Sequence, residues 1–396
     1  MKKRLVIIGG GASGITAALY AAKICKSADI TILEKNDRIG KKLLRTGNGR
    51  CNITNDNACA ERYLSPLAKA SLEKFDVTKT KELLASLGIV LKADNTGRNY
   101  PYSESAATLL NALLANIKAA GINIISDFDV SNISKKENRF IIQGNKSISA
   151  DCIIIAAGSP ASVKNYNADK ILESIGAEYK KFRPALCPLP SEESFLRSLK
   201  GVRAKARVSL NGHCEDGEVQ FNEKNISGIC IFNLAKYVGS PTEVNIDFMP
   251  EYSEEEIAAL LKVKQQNSLE AGELCDGLIL RKLALVLIKK AGFKPSQRAG
   301  ELSDKALKSI AKQIKAFKLK VKPPADFSSA QVCSGGVSAE QIDAASLELK
   351  TNKGIFLCGE ILDVDAPCGG YNLQWAISSG LYAAKNAAKY LGEQID

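Results

Sequence analysis

The stretch that decides the fold is LVIIGGGASGITAALYAAKICKSADITILE, residues 5–34. Its first four residues, Leu5–Ile8, are all apolar, which is typical of a parallel strand buried on both faces. The pattern Gly9-x-Gly11-x-x-Gly14 follows directly. The first glycine permits a tight turn, the second lets the backbone approach a pyrophosphate, and the third lets a helix pack on the strand. Apolar residues at helical spacing then lead to a second apolar run, which ends at Glu34.

This order of strand, glycines, helix, strand and acid predicts a dinucleotide site. The N-terminus of the helix, at Ala12 and Ser13, presents backbone N–H groups and the positive end of the helix dipole to the phosphates. The carboxylate of Glu34 would accept hydrogen bonds from ribose hydroxyls, which argues against a 2′-phosphate and therefore against NADP in this pocket. The motif alone leaves FAD and NAD both open.

The bulk composition is that of a globular protein with a basic surface. The chain has 396 residues, 45% hydrophobic and 24% charged, which allows two or three domains. Its formal net charge is +11. Such an excess attracts nucleic acid, anionic membranes or anionic substrates, but the basic residues are spread along the chain instead of forming blocks. We therefore interpret them as a solvated surface and expect no nucleic-acid partner.

Cysteine and histidine usage constrains the chemistry. The eleven cysteines include no CxxC pair, which favours reduced thiols in a cytoplasmic protein over a disulfide framework or a zinc site. His213 is the one histidine, which argues against a His-based triad and a multi-histidine metal site, and no metal is expected. No apolar run approaches the ~20 residues that span a bilayer, so we expect no membrane partner.

A basic, glycine-rich segment follows the nucleotide-binding unit. Residues 35–55, KNDRIGKKLLRTGNGRCNITN, show neither helical nor strand periodicity, and we call them the basic loop. A loop of this composition at this point suits an anionic cofactor laid along it, although an ordinary basic surface loop has the same composition.

A second strong pattern lies near the C-terminus. Residues 354–360, GIFLCGE, predict a strand that ends in Gly-Glu, and PCGGYNLQW, residues 367–375, then runs into a helix. A Gly-Gly turn that opens a helix presents free N–H groups and the positive end of the dipole. This terminus is suited to stabilising negative charge on a bound group.

These stretches resemble a known family, the BaiN-type (YhiN-like) NAD(P)/FAD-dependent oxidoreductases. The family shares the opening glycine motif, a stretch "GKKLL…GxGRCNxTN" that matches residues 40–44 and 47–55, and a stretch "GExLDVDGPxGGYNLQWA" that matches residues 359–376. The chain departs from the family's "FTHxGxSGP", since Glu223 replaces the histidine and Ile229 the proline, and Ala366 replaces a glycine. Substrate identity therefore does not carry over.

The resemblance implies FAD as the cofactor and a fold of class α/β. It implies a Rossmann-like, glutathione-reductase-like FAD-binding domain with an inserted small β domain and a helical domain. Val130 would bond adenine through its backbone, the strand that ends at Ala157 and Gly158 would return to the cofactor, and the C-terminal turn would hold the ribityl chain and ring. The cofactor-binding candidates from motif and resemblance are Gly9, Gly11, Ala12, Ser13, Gly14, Glu34, Lys35, Lys41, Lys42, Gly47, Arg50, Cys51, Asn52, Val130, Ala157, Gly158, Gly359, Glu360, Gly370, Tyr371, Asn372 and Leu373.

The predicted domain order places the insert between two parts of the FAD-binding domain. Prolines near 184–190 and turn signals beyond them mark its start. We expect the first part over residues 1–190, the β domain over 191–250 with 325–345 returning to it, the helical domain over 251–324, and the second part over 346–396.

The expected function is transfer of a hydride between a small organic substrate and flavin N5, with NAD(P)H as a possible electron donor. The chain has one GxGxxG, so no second nucleotide fold for NAD(P)H is visible. Cys51, Cys368 and Tyr371 are the catalytic candidates. The alternatives are a tRNA-acting flavoprotein, a flavin-dependent oxidase of a small amine or ketone such as aminoacetone, and a flavin scaffold or redox sensor without turnover. The oligomeric state is left open.

Overall fold

The computed structural model describes residues 2–63, 65–163 and 165–395. The chain divides into two compact units. The first unit is built from both ends of the chain, Met1–Arg183 and Gln331–Asp396, and the second comprises Pro184–Ala330. Each unit has its own central sheet.

The first unit is organised around a mixed, mainly parallel sheet. In the described part of the chain the sheet has seven strands, in the order Ile342–Asp343, Glu348–Leu349, Ile355–Leu357, Cys152–Ile155, Lys3–Ile8, Ala28–Leu33 and Asn123–Ile125. The last five are parallel, and the first two add an antiparallel edge. Leu5 and Ile7 are fully buried, as the apolar run predicts for a strand covered on both faces.

Two long helices cover this sheet. The first helix, Ala12–Ile24, packs against the C-terminal helix, Tyr371–Tyr390. Because a Cβ atom on Gly14 would lie 1.9 Å from the carbonyl oxygen of Gly9, only glycine permits this approach of the first helix to the preceding turn. The two ends of the chain therefore share one core.

The other elements of the first unit flank the central sheet. Its further helices are Pro66–Lys74, Val77–Ser86, Ala106–Ala119 and Ala168–Ser174. Three small sheets consist of Thr54–Asn55, Leu91–Ala93 and Arg98–Pro101; of Asn132–Lys136, Arg139–Gln143 and Ser147–Ala150; and of Tyr179–Ala185 with Val332–Val337.

The second unit combines an antiparallel sheet with helices. The sheet order is Leu189–Pro190, Asn225–Ser227, His213–Phe221, Arg203–Leu210, Thr242–Asp247 and Phe317–Val321. The helices are Ile229–Leu234, Glu254–Gln265, Arg281–Lys290 and Asp304–Lys315. The sequence pattern Ser253-x-x-Glu256 forms a capping box, in which the Ser253 hydroxyl accepts from the Glu256 N–H and the Glu256 carboxylate accepts from the Ser253 N–H.

The structure confirms the predicted fold class and corrects two boundaries. The second unit starts at Pro184 and not at 191, because Leu189–Pro190 pairs with Asn225–Ser227 in its sheet. Residues 331–345 do not return to the β domain, because Val332–Val337 pairs with Tyr179–Ala185 and the segment belongs to the first unit. The strand that does return to the antiparallel sheet is Phe317–Val321, which pairs with Thr242–Asp247. Among the described residues, no helix combines the length and the apolarity needed to cross a bilayer.

Candidate functional site

A cleft of about 550 Å³ opens where three parallel strands of the first unit end. Ile8, Leu33 and Ala156 mark those strand ends. Crevices at the carboxyl ends of adjacent parallel strands are where open α/β sheets bind nucleotides. The predicted candidates that line the cleft are Gly9, Gly11, Glu34, Lys35, Lys41, Lys42, Val130, Ala157 and Gly158.

The glycine turn shapes one wall of the cleft. The Gly9 N–H donates to the Leu33 carbonyl over 2.8 Å, which ties the turn to the neighbouring strand. Gly11 caps the first helix and has no side chain, so the first-turn N–H groups, including those of Ala12 and Ser13, have no side-chain acceptor from the cap. A Cβ atom on Gly11 would meet nothing within 4 Å. This open space in front of a helix N-terminus suits an anionic group.

Glu34 is buried, and its carboxylate closes the far side of the turn. One oxygen accepts from the Gly10 N–H at 2.8 Å. The other accepts from the backbone N–H and the side-chain amide of Asn36 at 2.8 and 2.5 Å. Oε2, which accepts only from Gly10, keeps a second lone pair, and the residue lines the cleft. The carboxylate is thus held in one orientation beside the cleft.

Cations of the basic loop line the same cleft. Lys41 pairs with Asp37, and Lys35 donates to the Asn165 carbonyl at 2.6 Å. Lys42 pairs with Glu360 at 2.5 Å, between Nζ and Oε2. This pair joins the two predicted cofactor motifs, because Glu360 belongs to the Gly-Glu end of the C-terminal strand.

The hydroxyl of Ser159 completes the contact around Glu360. It lies 3.3 Å from Glu360 Oε2 and 3.5 Å from Lys42 Nζ, and the residue is buried. Ser159 and Lys42 both line the cleft, so this cluster lies at its wall. Sequence reasoning missed Ser159, which directly follows the predicted Ala-Ala-Gly turn.

The N-terminus of the C-terminal helix is held against the end of the basic loop. Asn55 Nδ2 donates to the Gly369 carbonyl at 2.8 Å, and the Tyr63 hydroxyl donates to the Tyr371 carbonyl at 2.8 Å. Asn372 fixes the turn by exchanging hydrogen bonds with both backbone groups of Ala366. The cap residue, Gly370, offers no side-chain acceptor, so the first-turn N–H groups at the positive end of the helix dipole receive no hydrogen bond from the cap.

A buried polar network stands behind this helix terminus. Thr54 Oγ1 donates to Gln374 Oε1 at 2.5 Å, and Gln374 Nε2 donates to the hydroxyls of Thr80 and Ser378, both at 2.8 Å. Ser378 donates onward to the Phe75 carbonyl. All four polar side chains are fully buried, and the sequence motif had singled out neither Thr54 nor Gln374 for a role.

Asn52 differs from its neighbours, because its buried Oδ1 atom has no hydrogen-bond partner among the described residues. The other predicted loop residues lie around it. Gly47 adopts a φ of 56°, and the Arg50 guanidinium stacks over the Tyr100 ring at 4.8 Å from its centroid. Arg50 also pairs with Glu104 at 3.5 Å. An unpaired acceptor beside a helix N-terminus suits a ligand group that carries a hydrogen-bond donor.

The three catalytic candidates have different environments. Cys51 is fully buried, and burial raises the pKa of its thiol to about 11 despite the opposing hydrogen bond with Thr46. A neutral, enclosed thiol is a poor nucleophile at pH 7. Cys368 is half-buried, burial raises its thiol pKa, and its Sγ lies 3.9 Å from Gln331 Oε1. Tyr371 is half-buried at the helix N-terminus, with the Arg62 guanidinium 6.0 Å from its ring centroid.

The predicted site residues therefore fall into two groups within the first unit. The first group is the set of cleft-lining candidates named at the start of this subsection. The second group lies outside the cleft lining, behind the glycine turn or around the N-terminus of the C-terminal helix. The second group comprises Ala12, Ser13, Gly14, Gly47, Arg50, Cys51, Asn52, Gly359, Glu360, Gly370, Tyr371, Asn372, Leu373 and Cys368. The Lys42–Glu360 pair connects the groups. Sequence reasoning missed further lining residues, including Arg38, Phe128 and Tyr166.

Fold and site together define a Rossmann-type flavoprotein. The chain belongs to the family described as "HI0933-like protein Rossmann domain", whose model matches residues 3–386. A 3-dehydro-bile acid delta(4,6)-reductase from Clostridium scindens is 33% identical to it, over 98% of this chain and 99% of that protein. A ribosomal RNA dihydrouridine synthase from Haemophilus influenzae is 26% identical, over 97% and 98% of the two chains.

Solved structures support the fold. The 3-ketosteroid delta1-dehydrogenase from Sterolibacterium denitrificans matches with a TM-score of 0.51 at 11% identity, covering 97% of this chain and 99% of that chain. The E. coli quinol fumarate reductase subunit FrdA matches with a TM-score of 0.50 at 15% identity, covering 99% and 70%. These two structures show the fold alone; the family match and the 33% identical reductase show that the chain is an FAD-dependent oxidoreductase, as the sequence predicted.

Proposed function

We propose that this chain reduces a carbon–carbon double bond conjugated to a carbonyl group in a small organic substrate. The observation that carries the proposal is the full-length match to a delta(4,6)-reductase at 33% identity. That relative's name describes a ketone at position 3 with double bonds at positions 4 and 6, which are conjugated with it. The name of the dihydrouridine synthase describes saturation of the same type of bond in uracil.

The cofactor for this reaction is FAD, which supplies hydride transfer when it is bound. The glycine turn and Glu34 would hold the adenosine and pyrophosphate, since they line the cleft at the strand ends. The N-terminus of the C-terminal helix would stabilise negative charge on the ring. The substrate gains one hydride at the β-carbon and one proton at the α-carbon. We assign the proton to the Tyr371 hydroxyl, with the Cys368 thiol as the second candidate.

NAD(P)H is the proposed electron donor. The test is anaerobic mixing of the purified, flavin-loaded protein with NADH and NADPH in separate experiments. We expect rapid bleaching of the flavin absorption band with at least one of them. Absence of bleaching with both would overturn this part of the proposal and favour a flavin scaffold.

The substrate class is tested on the same reduced protein. A panel of cyclic enones, including a 3-keto-4-ene steroid, is added without oxygen, and we expect reoxidation of the flavin with a product heavier by two hydrogen atoms. Saturated ketones of the same size serve as controls. Reoxidation by oxygen alone, with no enone consumed, would instead favour an oxidase.

A second candidate is the same reaction on uracil in RNA. Two observations favour it: the 26% identity to the dihydrouridine synthase across the whole chain, and the net charge of +11. Incubation of unmodified ribosomal RNA with the protein and NADPH, followed by mass analysis of nucleosides, discriminates the two. Dihydrouridine formation together with salt-sensitive RNA retention would replace the small-molecule substrate by RNA.

A further inference from the structure

We propose that the side-chain oxygen of Asn52 is the acceptor for the N3–H group of the flavin ring. This inference rests on the proposed function, because it requires FAD in the site described above. It adds a defined atom and role to the cofactor site. The inference starts from the one polar atom of the basic loop that the fold buries and leaves unpaired.

Asn52 Oδ1 is buried without a hydrogen-bond partner in the described part of the chain. An unsatisfied buried acceptor costs about 1–3 kcal/mol, so folded proteins rarely retain one without a use. The neighbouring polar groups do not need it. Thr54 is bonded to Gln374, and Asn55 is bonded to the Gly369 carbonyl. Asn52 thus presents an acceptor that a ligand donor would satisfy.

The position of this acceptor relative to the C-terminal helix is fixed. A Cβ atom on Gly370 would lie 2.9 Å from Asn52 Oδ1 and 2.5 Å from the Thr54 carbonyl oxygen. Gly370 has a φ of 99°, which L side chains rarely adopt, so both conformation and space require glycine here. The Asn52 oxygen therefore lies beside the first turn of the C-terminal helix.

The two neighbours complement each other chemically. A helix N-terminus offers donors, here the N–H groups at Tyr371, Asn372 and Leu373. The pyrimidine edge of a flavin ring alternates a carbonyl acceptor, the N3–H donor and a second carbonyl acceptor. The N–H groups of a helix terminus can donate to a flavin carbonyl, but they offer no acceptor for the neighbouring N3–H group. Asn52 Oδ1 supplies the missing acceptor next to those donors.

The test compares FAD with FAD methylated at N3, which lacks the N3–H donor. Apo wild-type protein and Asn52→Ala are titrated with each cofactor, and dissociation constants are measured from flavin fluorescence. We expect the wild type to prefer FAD by ~10-fold or more and the variant to lose most of that preference, since a buried hydrogen bond of this kind is lost. Asn57→Ala, which changes an exposed asparagine nearby, is expected to keep the wild-type preference.

Asn52→Asp provides the second variant and a spectroscopic readout. It keeps an acceptor at the same place and adds negative charge, so we expect it to retain the preference for FAD and to lower the flavin midpoint potential. This variant also carries the comparison if Asn52→Ala does not fold. The inference would be overturned if Asn52→Ala preferred FAD over the methylated cofactor as strongly as the wild type does. It would also be overturned if the wild type showed no preference. Failure of the wild type to bind FAD at all would instead overturn the proposed function.

Discussion

At the scale of a single residue, Glu34 both stabilises the glycine turn and lines the cleft. Its carboxylate holds the glycine turn through the Gly10 N–H and the following loop through Asn36, while it faces the cleft. Charge-assisted hydrogen bonds of this kind contribute about 1.5–3 kcal/mol each. Loss of the charge therefore affects both the shape of the turn and the ligand that the turn binds.

We expect Glu34→Gln to weaken FAD binding by ~10-fold or more and to lower the Tm of the apo protein. The side-chain amide that replaces the carboxylate has one N–H group in place of an acceptor. That group would face either the Gly10 N–H or the Asn36 donors, and the hydrogen bonds on that side would be lost. Flavin fluorescence titration and thermal unfolding measure the two effects. Asp29→Asn is the matched control, because Asp29 lies on the strand that Glu34 directly follows and its pairing with Lys2 is exposed. Equal FAD affinity of Glu34→Gln and the wild type would contradict the assignment of Glu34.

Cys51 is the residue for which burial most changes the expected chemistry. Its pKa of about 11 keeps the thiol protonated at neutral pH, whereas Cys59 and Cys214 are exposed. We expect iodoacetamide at pH ~7.5 to alkylate Cys59 and Cys214 in the native protein and to leave Cys51 unmodified. Peptide mass analysis reads out the sites, with unfolded protein as the control for reactivity. Rapid native labelling of Cys51 would show an accessible thiolate.

The residues of the cofactor motifs were identifiable from the sequence, but their neighbours were not. Glu34, Lys42 and Gly370 stand at fixed spacings in recognisable stretches. Thr54 and Gln374 are hydrogen-bonded to each other although 320 positions separate them in the sequence. Such a pair of polar residues is recognised only once the packed core is known. The unpaired state of Asn52 Oδ1 is likewise a property of the whole surrounding shell.

At the scale of an element, two glycines at the start of the first helix have different requirements: Gly14 matters for stability and Gly11 for ligand binding. Gly14 has no room for a side chain, since a Cβ atom would lie 1.9 Å from the Gly9 carbonyl oxygen. Gly11 has ample room, since a Cβ atom there meets nothing within 4 Å. Its φ of −83° is also allowed for alanine.

We therefore expect opposite effects from two similar substitutions. Gly14→Ala should lower the Tm of the apo protein markedly, by an amount equivalent to ~2 kcal/mol or more, because backbone must shift. Gly11→Ala should leave the apo Tm nearly unchanged but weaken FAD binding by ~10-fold or more, because its methyl group occupies the space for the pyrophosphate. Each variant is the control for the other. Unchanged FAD affinity in Gly11→Ala would mean that no phosphate approaches that turn.

Element boundaries show where local pattern was sufficient and where it failed. The capping box at Ser253 placed the start of helix Glu254–Gln265 correctly. The sequence prediction included Phe317–Val321 in the helical domain, but the structure shows a strand there. Its residues alternate between buried and exposed, as in a strand covered on one face. For Val332–Val337 no local signal names the partner, because Tyr179–Ala185 lies 150 residues away in sequence.

At the scale of the whole molecule, the order of segments along the chain follows from the two motifs. Two stretches that build one nucleotide-binding unit lie at opposite ends of the chain, so the residues between them form an insert. That reasoning predicted the unit made from both termini. The position of the later boundary, near residue 331, depends on strand pairing and was misplaced.

Buried thiols throughout both units give the molecule a common response to alkaline pH. None of the eleven cysteines, all of which lie in the described part of the chain, forms a disulfide. Burial raises the thiol pKa to about 11 in Cys51, Cys230 and Cys333, and to about 12 in Cys275 and Cys358, from an ordinary 9.0. The folded state therefore binds these protons more tightly than the unfolded state. Their contribution to stability is complete below pH 9 and is lost as the pH rises from 9 towards 11 or 12.

We expect the Tm to fall by ~5 °C or more between pH ~8.5 and ~10.5, since above pH ~9 the stabilisation from each of these thiols decreases by up to about 1.4 kcal/mol per unit of pH. Thermal unfolding at constant ionic strength measures the decline. Cys275→Ala should reduce its slope, because that variant lacks one of the strongly shifted thiols, whereas Cys59→Ala, at an exposed position, should not. A Tm that stays constant to pH ~10.5, or a slope that responds equally to both variants, would show that these thiols do not control alkaline stability.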